Sequence, residues 1–536
     1  MIASEVFERL SVQAGNHLEK ILQKPWKLFS FFFLLIVALK WPFFTIPPVW
    51  DEAFSIFPAA DFLVNNGFDY RLLLEQPRYH DGGPTAHGLS LLTLFTALVL
   101  KITGGGTTAW MVLHTVQWLM AAAIGAMLSS IFHRVFERIP SFLLAFACLC
   151  YPLVLAQLGF MYVEVPVLFF TVLAFYVFLQ DRIWLASLFL VVACLTKGSA
   201  LIGVGALSLT VLFSSPALSW IRRIANAIVV ALPSLIAVKV YMTMYSGGQS
   251  RAGVDMSGII PTLVQKNLAA YHGYLALVPE ILLLLIAGIV FSLIAILIRF
   301  KNNQYANFSK NKVVLINAFF VATFVVFYSI IYNFYQTTDS HFLTRYLAYV
   351  IPSIYFMLYY TFNKLPINSA FKVFILLIFI AVSILNRNGL LYPPIPISSI
   401  AMAERSEEYI NGYLVQKEYT ELIEKNVPAE VPVYVSLPDF YLMNYPVSGY
   451  VTESLSNIHY IIHTLKNNGQ NFYYPDHFFL VYSYPWLGGQ MIARMIQDVM
   501  RNDEFSHEIV ASYERGFFSA YVFEVNRVKD IVPQQY

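Results

Sequence analysis

LFSFFFLLIVALKWPFFTIPPVWDE occupies residues 28–52, and its reading decides the architecture. From Leu28 to Ile46 the sole charge is Lys40, and crossing a bilayer's hydrocarbon takes about 20 apolar residues. Pro47 and Pro48 then stiffen the exit, and Asp51 and Glu52 follow side by side. The whole chain agrees with a membrane reading: 58% of its 536 residues are hydrophobic, 12% are charged, and the mean hydropathy is +0.61. Soluble domains carry roughly 25% charged residues.

Further apolar runs lie at 87–103, 107–132, 139–158, 162–180, 182–197, 198–213, 220–244, 278–298, 313–333, 345–363 and 369–387. Basic loops mark the cytoplasmic side. Lys20, Lys24 and Lys27 precede the first run, and RFKNNQYANFSKNK (299–312) holds four basic residues and no acid. WIRR (220–223) and KLPINSAFK (364–372) are basic as well. The segment 47–86 carries six acids and two arginines, so it belongs outside. From Asn388 to the end there are 17 acids and 9 basic residues, so this part should join it there. Twelve crossings would leave both ends on one side, whereas the charges separate them. The odd crossing is expected at 139–160, where Pro152 would divide the run into two short helices and leave HRVFER (133–138) outside.

The fold class expected is a polytopic α-helical membrane protein of about 11–13 spans, each about 20 residues, with a C-terminal soluble α/β domain. Residues 1–27, mixed in charge and lacking a small-residue cleavage site, read as a cytoplasmic amphipathic segment rather than a secretory signal. Residues 28–397 form the membrane domain, with 47–86 as its large outer loop. Residues 398–536 read as the soluble part: EEYINGYLVQKEYTELIEKN and MIARMIQDVMRN have helical spacing, VPVYVSL and DHFFLVYSY alternate as strands do, and FFSAYVFEV closes as a strand. Cys148, Cys150 and Cys194 all fall in apolar runs, so no disulfide framework exists in the acidic part. No basic run of five or more occurs, and no nucleic-acid partner is expected.

The outer segment is too long and polar for a simple turn, and loops of that length are usually functional. WDEAFSIFPAADFLVNNG has helical spacing and should lie along the membrane surface. Asp51 and Glu52 open the segment and Asp81 is near its end, so a fold-back would gather three carboxylates. A carboxylate partly out of water has a raised pKa and is a better general base. Glu164 stands at a run end, where an ionisable group is costly and therefore functional by default.

In these residues the chain resembles the membrane-embedded GT-C glycosyltransferases, closest to the protein O-mannosyltransferase and lipid A aminoarabinose transferase branch. The resemblance rests on the acidic pair beyond the first span and on RYHDGGP (78–84). That stretch is similar to an aromatic–acidic–Lys–Pro sequence, with Gly82 and Gly83 where the lysine is expected. MYVEVP (161–166), LTKG (195–198) and TRYLAYVIP (344–352) add to it in order and spacing, over about residues 1–390. The resemblance implies transfer of a sugar, with inversion, from a polyprenyl-phosphate carrier to an extracytoplasmic protein, lipid or cell-envelope glycan. It places the site outside a bacterial or archaeal plasma membrane. The catalytic candidates are then Asp51, with Glu52 and Asp81 in support. Lys197, Arg345, Tyr346 and Arg78 are candidates for the donor phosphate, whose leaving charge needs donors placed where it grows. Glu164, His272, Tyr79 and His80 complete the candidate set.

Each candidate also has a plain structural role. Asp51–Glu52 can cap a helix at the interface, Lys197 can snorkel, Arg345–Tyr346 can anchor a span, and His272 can sit at the interface. No cofactor is implied: the His and Cys clustering of a zinc site is absent. Asp51, Glu52 and Asp81 could share a divalent cation, although a metal-free site is the simpler expectation. Two other functions compete. A flippase for a lipid-linked glycan would show two halves of related hydropathy, which the chain lacks. An inactive assembly subunit of the same fold would tolerate loss of Asp51. Oligosaccharide transfer to asparagine is disfavoured by the absence of a WWD signature.

Overall fold

The computed structural model describes residues 23–49, 52–75, 90–159, 161, 163–214, 218–246, 279–302, 308–328, 348–385, 409–460, 474–484, 489–502, 504–516 and 518–528. Two compact units emerge from the contacts: Met1–Trp41 with Thr115–Ile397, and Pro42–His114 with Ser398–Tyr536. The acidic segment after the first helix therefore groups with the C-terminal residues.

The first unit is a helical bundle. Pro25–Lys40 begins on a proline, whose missing N–H costs nothing in a first turn, and it holds Leu28, Phe32 and Ile36 on its buried face. Every expected span contains a described helix. Pro25–Phe43, Gly106–His133 and Trp220–Val240 are each long and apolar enough to cross a membrane. A fourth candidate is the pair Arg138–Cys150 and Pro152–Gly159, bent by 60°. The division at Pro152 is the one the sequence leads one to expect, because proline lacks the N–H that would continue the ladder. Shorter apolar helices include Glu164–Phe178, Ile183–Thr196 and Ser369–Leu385.

Glu164–Phe178 and Ile183–Thr196 form a hairpin whose turn uses Asp181 at φ 63°. That turn is tied twice. The Arg134 guanidinium donates to the Leu179 carbonyl at 2.6 Å, and the Lys312 ammonium donates to Asp181 Oδ1 at 2.7 Å. The same ammonium lies 5.3 Å from the centre of the Phe178 ring. The 133–138 turn, the 179–182 turn and the start of Phe308–Val326 thus share one end of the bundle.

In the second unit, Glu52–Ile56 is a π-helical turn that runs into Phe57–Asn65, on which Leu91–Thr103 packs. The C-terminal residues build a five-stranded sheet in the order β2-β1-β3-β5-β4. Its strands are β1 (Val433–Val435), β2 (Ile458–Tyr460), β3 (His477–Tyr484), β4 (Phe505–Arg515) and β5 (Phe518–Arg527). β1 runs parallel to β2 and β3, while β5 runs antiparallel to β3 and β4. Tyr409–Asn426 and Gly489–Arg501 are the two expected helices. VPVYVSL is strand for only three residues. The chain turns at Ser436, whose hydroxyl donates to Asp439 Oδ2 at 2.7 Å, and Leu437–Asn444 follows. Asp439 is fully buried and also accepts from the Ser483 hydroxyl at 2.7 Å and from Tyr419. Burial raises its pKa, and the hydroxyls of Ser436, Tyr419 and Ser483 draw it back. β4 escapes sequence reading because it is an edge strand exposed along most of both faces, so no apolar alternation marks it.

Gly125 sets a close approach within the bundle. A Cβ built there would lie 2.6 Å from Leu149 Cδ1 and 2.8 Å from the Phe32 ring. Gly125→Val should lower stability by about 1–3 kcal/mol, the usual range for overpacking. Gly198→Ala, with open space at its Cβ, should be neutral. Thermal unfolding of the detergent-purified protein checks both; an unshifted Gly125→Val would contradict the packing.

Candidate active site

The chain leaves its first helix through Ile46–Val49, a stretch outside any helix or sheet whose backbone carbonyls need partners. His114 Nε2 lies 3.1 Å from the Ile46 carbonyl. The Tyr450 hydroxyl donates to the Pro48 carbonyl at 3.2 Å, and the Ser448 hydroxyl donates to the Ala53 carbonyl at 3.1 Å. Glu52 opens the π-helical turn with 1% of its surface exposed. Burying a carboxylate costs several kcal/mol unless its surroundings compensate, so an acid at this point is not an idle surface residue. Asp61, on Phe57–Asn65, is half-buried. Burial raises its pKa, partly offset by a hydrogen bond from Asn65. The phenol of Tyr445 is pushed up by burial and by the Asp61 charge. A second carboxylate therefore belongs to the acidic region.

In the other unit, the hairpin brings the start of Glu164–Phe178 beside the end of Ile183–Thr196. Lys197 Nζ and Glu164 Oε1 meet there at 2.5 Å, with Glu164 1% and Lys197 24% exposed. Lys197 is extended (φ −158°, ψ 135°) between that helix and the turn Gly198–Ala200. The carboxylate sits in the first turn of its helix, where the dipole favours negative charge. A lysine partly open to solvent and held by a buried acid is a cation with a fixed address.

Of the residues singled out in the sequence, the structure places Glu52, Glu164 and Lys197 and joins the last two. Asp51, Arg78, Tyr79, His80, Asp81, His272, Arg345 and Tyr346 lie outside the described residues. Only Glu52 of the trio considered for a divalent cation is described. Among the described residues no group of three or more His, Cys, Asp or Glu side chains could hold a metal ion. The three cysteines are free and buried. Sequence reasoning passed over Lys40, which is fully buried in the last turn of the first helix and lies beside Cys150. A lone lysine in an apolar run was the signal for it. Asp61, Ser448 and Tyr450 gave no such signal.

No protein-family model and no curated protein matches the chain. Among solved structures it is similar to ArnT from Cupriavidus metallidurans in the apo state, at 13% identity and TM-score 0.43, over 91% of this chain and 97% of that one. It is similar to the same protein bound to undecaprenyl phosphate, at 14% and 0.42, over 94% and 99%. It is also similar to the archaeal oligosaccharyltransferase AglB from Archaeoglobus fulgidus in complex with an inhibitory peptide and a dolichol-phosphate, at 12% and 0.44, over 90% and 69%. With TM-scores below 0.5, no residue is matched through these likenesses.

The Glu164–Lys197 pair predicts an asymmetric response to mutation. Lys197→Met strips the buried carboxylate of its ammonium and should cost about 3–5 kcal/mol. The double variant Glu164→Gln/Lys197→Met should recover most of that loss. Thermal unfolding of the purified variants checks it, and a double variant weaker than Lys197→Met would contradict it.

Proposed function

We propose that the chain is a polytopic glycosyltransferase of the plasma membrane that moves a sugar from a polyprenyl-phosphate carrier to an extracytoplasmic acceptor. The observation that carries this reading is the acidic stretch at the exit of the first helix, where Glu52 is buried and its neighbouring carbonyls are held by side chains. A donor with an apolar tail, a phosphate and a sugar needs a carboxylate and cations at the membrane boundary. Asp51 takes the proton of the acceptor hydroxyl as its oxygen attacks the anomeric carbon. The bond from that carbon to the phosphate oxygen breaks, and polyprenyl phosphate leaves with the electron pair. A single displacement of this kind inverts the anomeric centre. Lys197, oriented by Glu164, meets the charge that grows on the phosphate, together with Arg345, Tyr346 and Arg78.

Charge and the ties at one end of the bundle support one orientation. Arg134 and Lys312 both bind the 179–182 turn, so the basic 133–138 and 299–312 segments share a side. Positive loops mark that side as cytoplasmic. HRVFER is then inside, and the bent helix pair from Arg138 to Gly159 crosses, contrary to the expectation of an odd crossing at 139–160. Leu91–Thr103 instead returns to the side it left. Gly104, Gly105 and Gly106, all at positive φ, then turn the chain into the next helix. The helices beginning at Pro25, Gly106, Arg138, Glu164, Ile183, Leu201, Trp220, Pro279, Phe308, Ile351 and Ser369 are the crossings. They put WIRR and KLPINSAFK inside and residues 398–536 outside, as the charges ask. The Glu164–Lys197 pair lies at the outer end of its hairpin.

Two measurements test this reading. Asp51→Asn keeps the shape of the side chain and cannot accept the proton. Sugar transfer by the purified variant should fall about 10²-fold or more, the scale of a lost general base, with Glu52→Gln costing less. Near-normal turnover in Asp51→Asn would refute the assignment, and a larger loss in Glu52→Gln would move the role one residue along. For the orientation, single cysteines are introduced into a cysteine-free variant in intact cells. An impermeant thiol reagent should label Lys101→Cys and spare Glu137→Cys, both at exposed positions. The reverse pattern would overturn the orientation.

A further inference from the structure

Residues 446–450, PVSGY, grip the chain on both sides of the acidic pair. Pro446–Ser448 is one tight helical turn, and Gly449 ends it at φ +80°. That left-handed backbone suits glycine, and a Cβ built there would overlap the indole ring of Trp110. The reversal lets two neighbouring side chains reach one segment. Ser448 donates to the Ala53 carbonyl at 3.1 Å and Tyr450 donates to the Pro48 carbonyl at 3.2 Å. Pro48 and Ala53 flank Asp51 and Glu52 in the chain. Both donors are buried, Ser448 at 0% and Tyr450 at 2% exposure. Tyr450 packs on Ala53 and Leu442, and its ring stands edge-on to Tyr413 at 5.6 Å. Burial, then Tyr413 and Asp439, hold its phenol well above the ordinary range, so it stays a donor throughout the physiological pH range.

We propose that Ser448 and Tyr450 are positioning residues for sugar transfer: through them the C-terminal domain holds the Pro48 and Ala53 carbonyls, between which the acidic pair lies in the sequence. The proposal rests on the reading of that pair as catalytic. It gives the C-terminal domain a part in the reaction without a reactive group of its own. The two bonds span 395 and 402 residues of sequence, so they bring the end of the chain onto its first outer segment. A carboxylate where the irregular stretch Ile46–Val49 leads into the Glu52–Ile56 turn needs such fixing, because a misplacement of about 1 Å can cost about 10² in rate.

The test uses the full-length purified protein with Ser448→Ala, Tyr450→Phe and the two combined. Amide hydrogen exchange over residues 52–65 reads the grip directly, independent of chemistry. Sugar transfer from a polyprenyl-phosphate donor reads its consequence. Arg515→Ala, which removes an exposed ion pair to Glu418 elsewhere in the domain, serves as the control. Exchange over 52–65 should quicken in the double variant, kcat should fall about 10²-fold, as for a misplaced group, and the donor KM should stay as in wild type. Arg515→Ala should change neither. Unchanged exchange in the double variant would overturn the proposal, and so would quickened exchange with wild-type kcat. A rise in donor KM at constant kcat would also overturn it, since that marks lost binding rather than lost positioning. If the wild-type protein transfers no sugar from such donors, the catalytic reading fails instead, while the exchange data still show whether the grip exists.

Discussion

The ties at the two ends of one helical hairpin organise the helical unit. At one end Lys312 and Arg134 bind the 179–182 turn; at the other, Lys197 meets Glu164. The 15 residues of Glu164–Phe178 separate the two ends by about 22 Å. Asp181 is open to solvent, and its contact with Lys312 contributes position more than stability. Glu164 is out of water, so losing its ammonium is expensive and the pair is held together by that cost. One end carries two basic partners on an exposed turn and the other a buried acid with its own lysine, so the two ends differ.

The second unit meets a similar constraint in a different way. Among the described residues Asp439 meets no cation; it accepts from the hydroxyls of Ser436, Tyr419 and Ser483, which tie a helix, a turn and a strand to one point. Neutral donors of this kind stabilise a buried carboxylate less than a cation does, and burial still leaves its pKa raised. The cage lies in the domain that supplies Ser448 and Tyr450, so the rigidity of the sheet domain is passed to the acidic stretch by two hydrogen bonds.

What the sequence made legible follows from how burial writes itself into composition. Apolar runs flanked by basic or acidic loops gave the helices and the side each loop prefers, because lipid excludes charge from long stretches. Pro152 marked the bend through its missing N–H. Leu91–Thr103 has the apolar composition of the other runs. β1, β3 and β5 alternate and are legible in the sequence, whereas β4, exposed at the edge, and β2, only three residues long, are not. Glu164 and Lys197 were each singled out, but their pairing was not, since it depends on how tightly the 179–182 turn folds back. The contacts of Ser448 and Tyr450 with the first outer segment could not be read at all: hydroxyls donating to backbone carbonyls across some 400 residues leave no pattern in a single sequence.

The central claim is that this chain breaks the bond between a sugar and a polyprenyl phosphate at the outer face of the membrane. The most direct measurement follows the carrier. Purified protein in liposomes is given a polyprenyl-phosphate sugar in the bilayer and a cell-envelope extract as the acceptor source outside. The account predicts that free polyprenyl phosphate appears in step with loss of the donor and with sugar joined to acceptor. A donor that crosses the bilayer intact, with no polyprenyl phosphate released, would contradict it and mark the protein as a carrier of lipid-linked sugar.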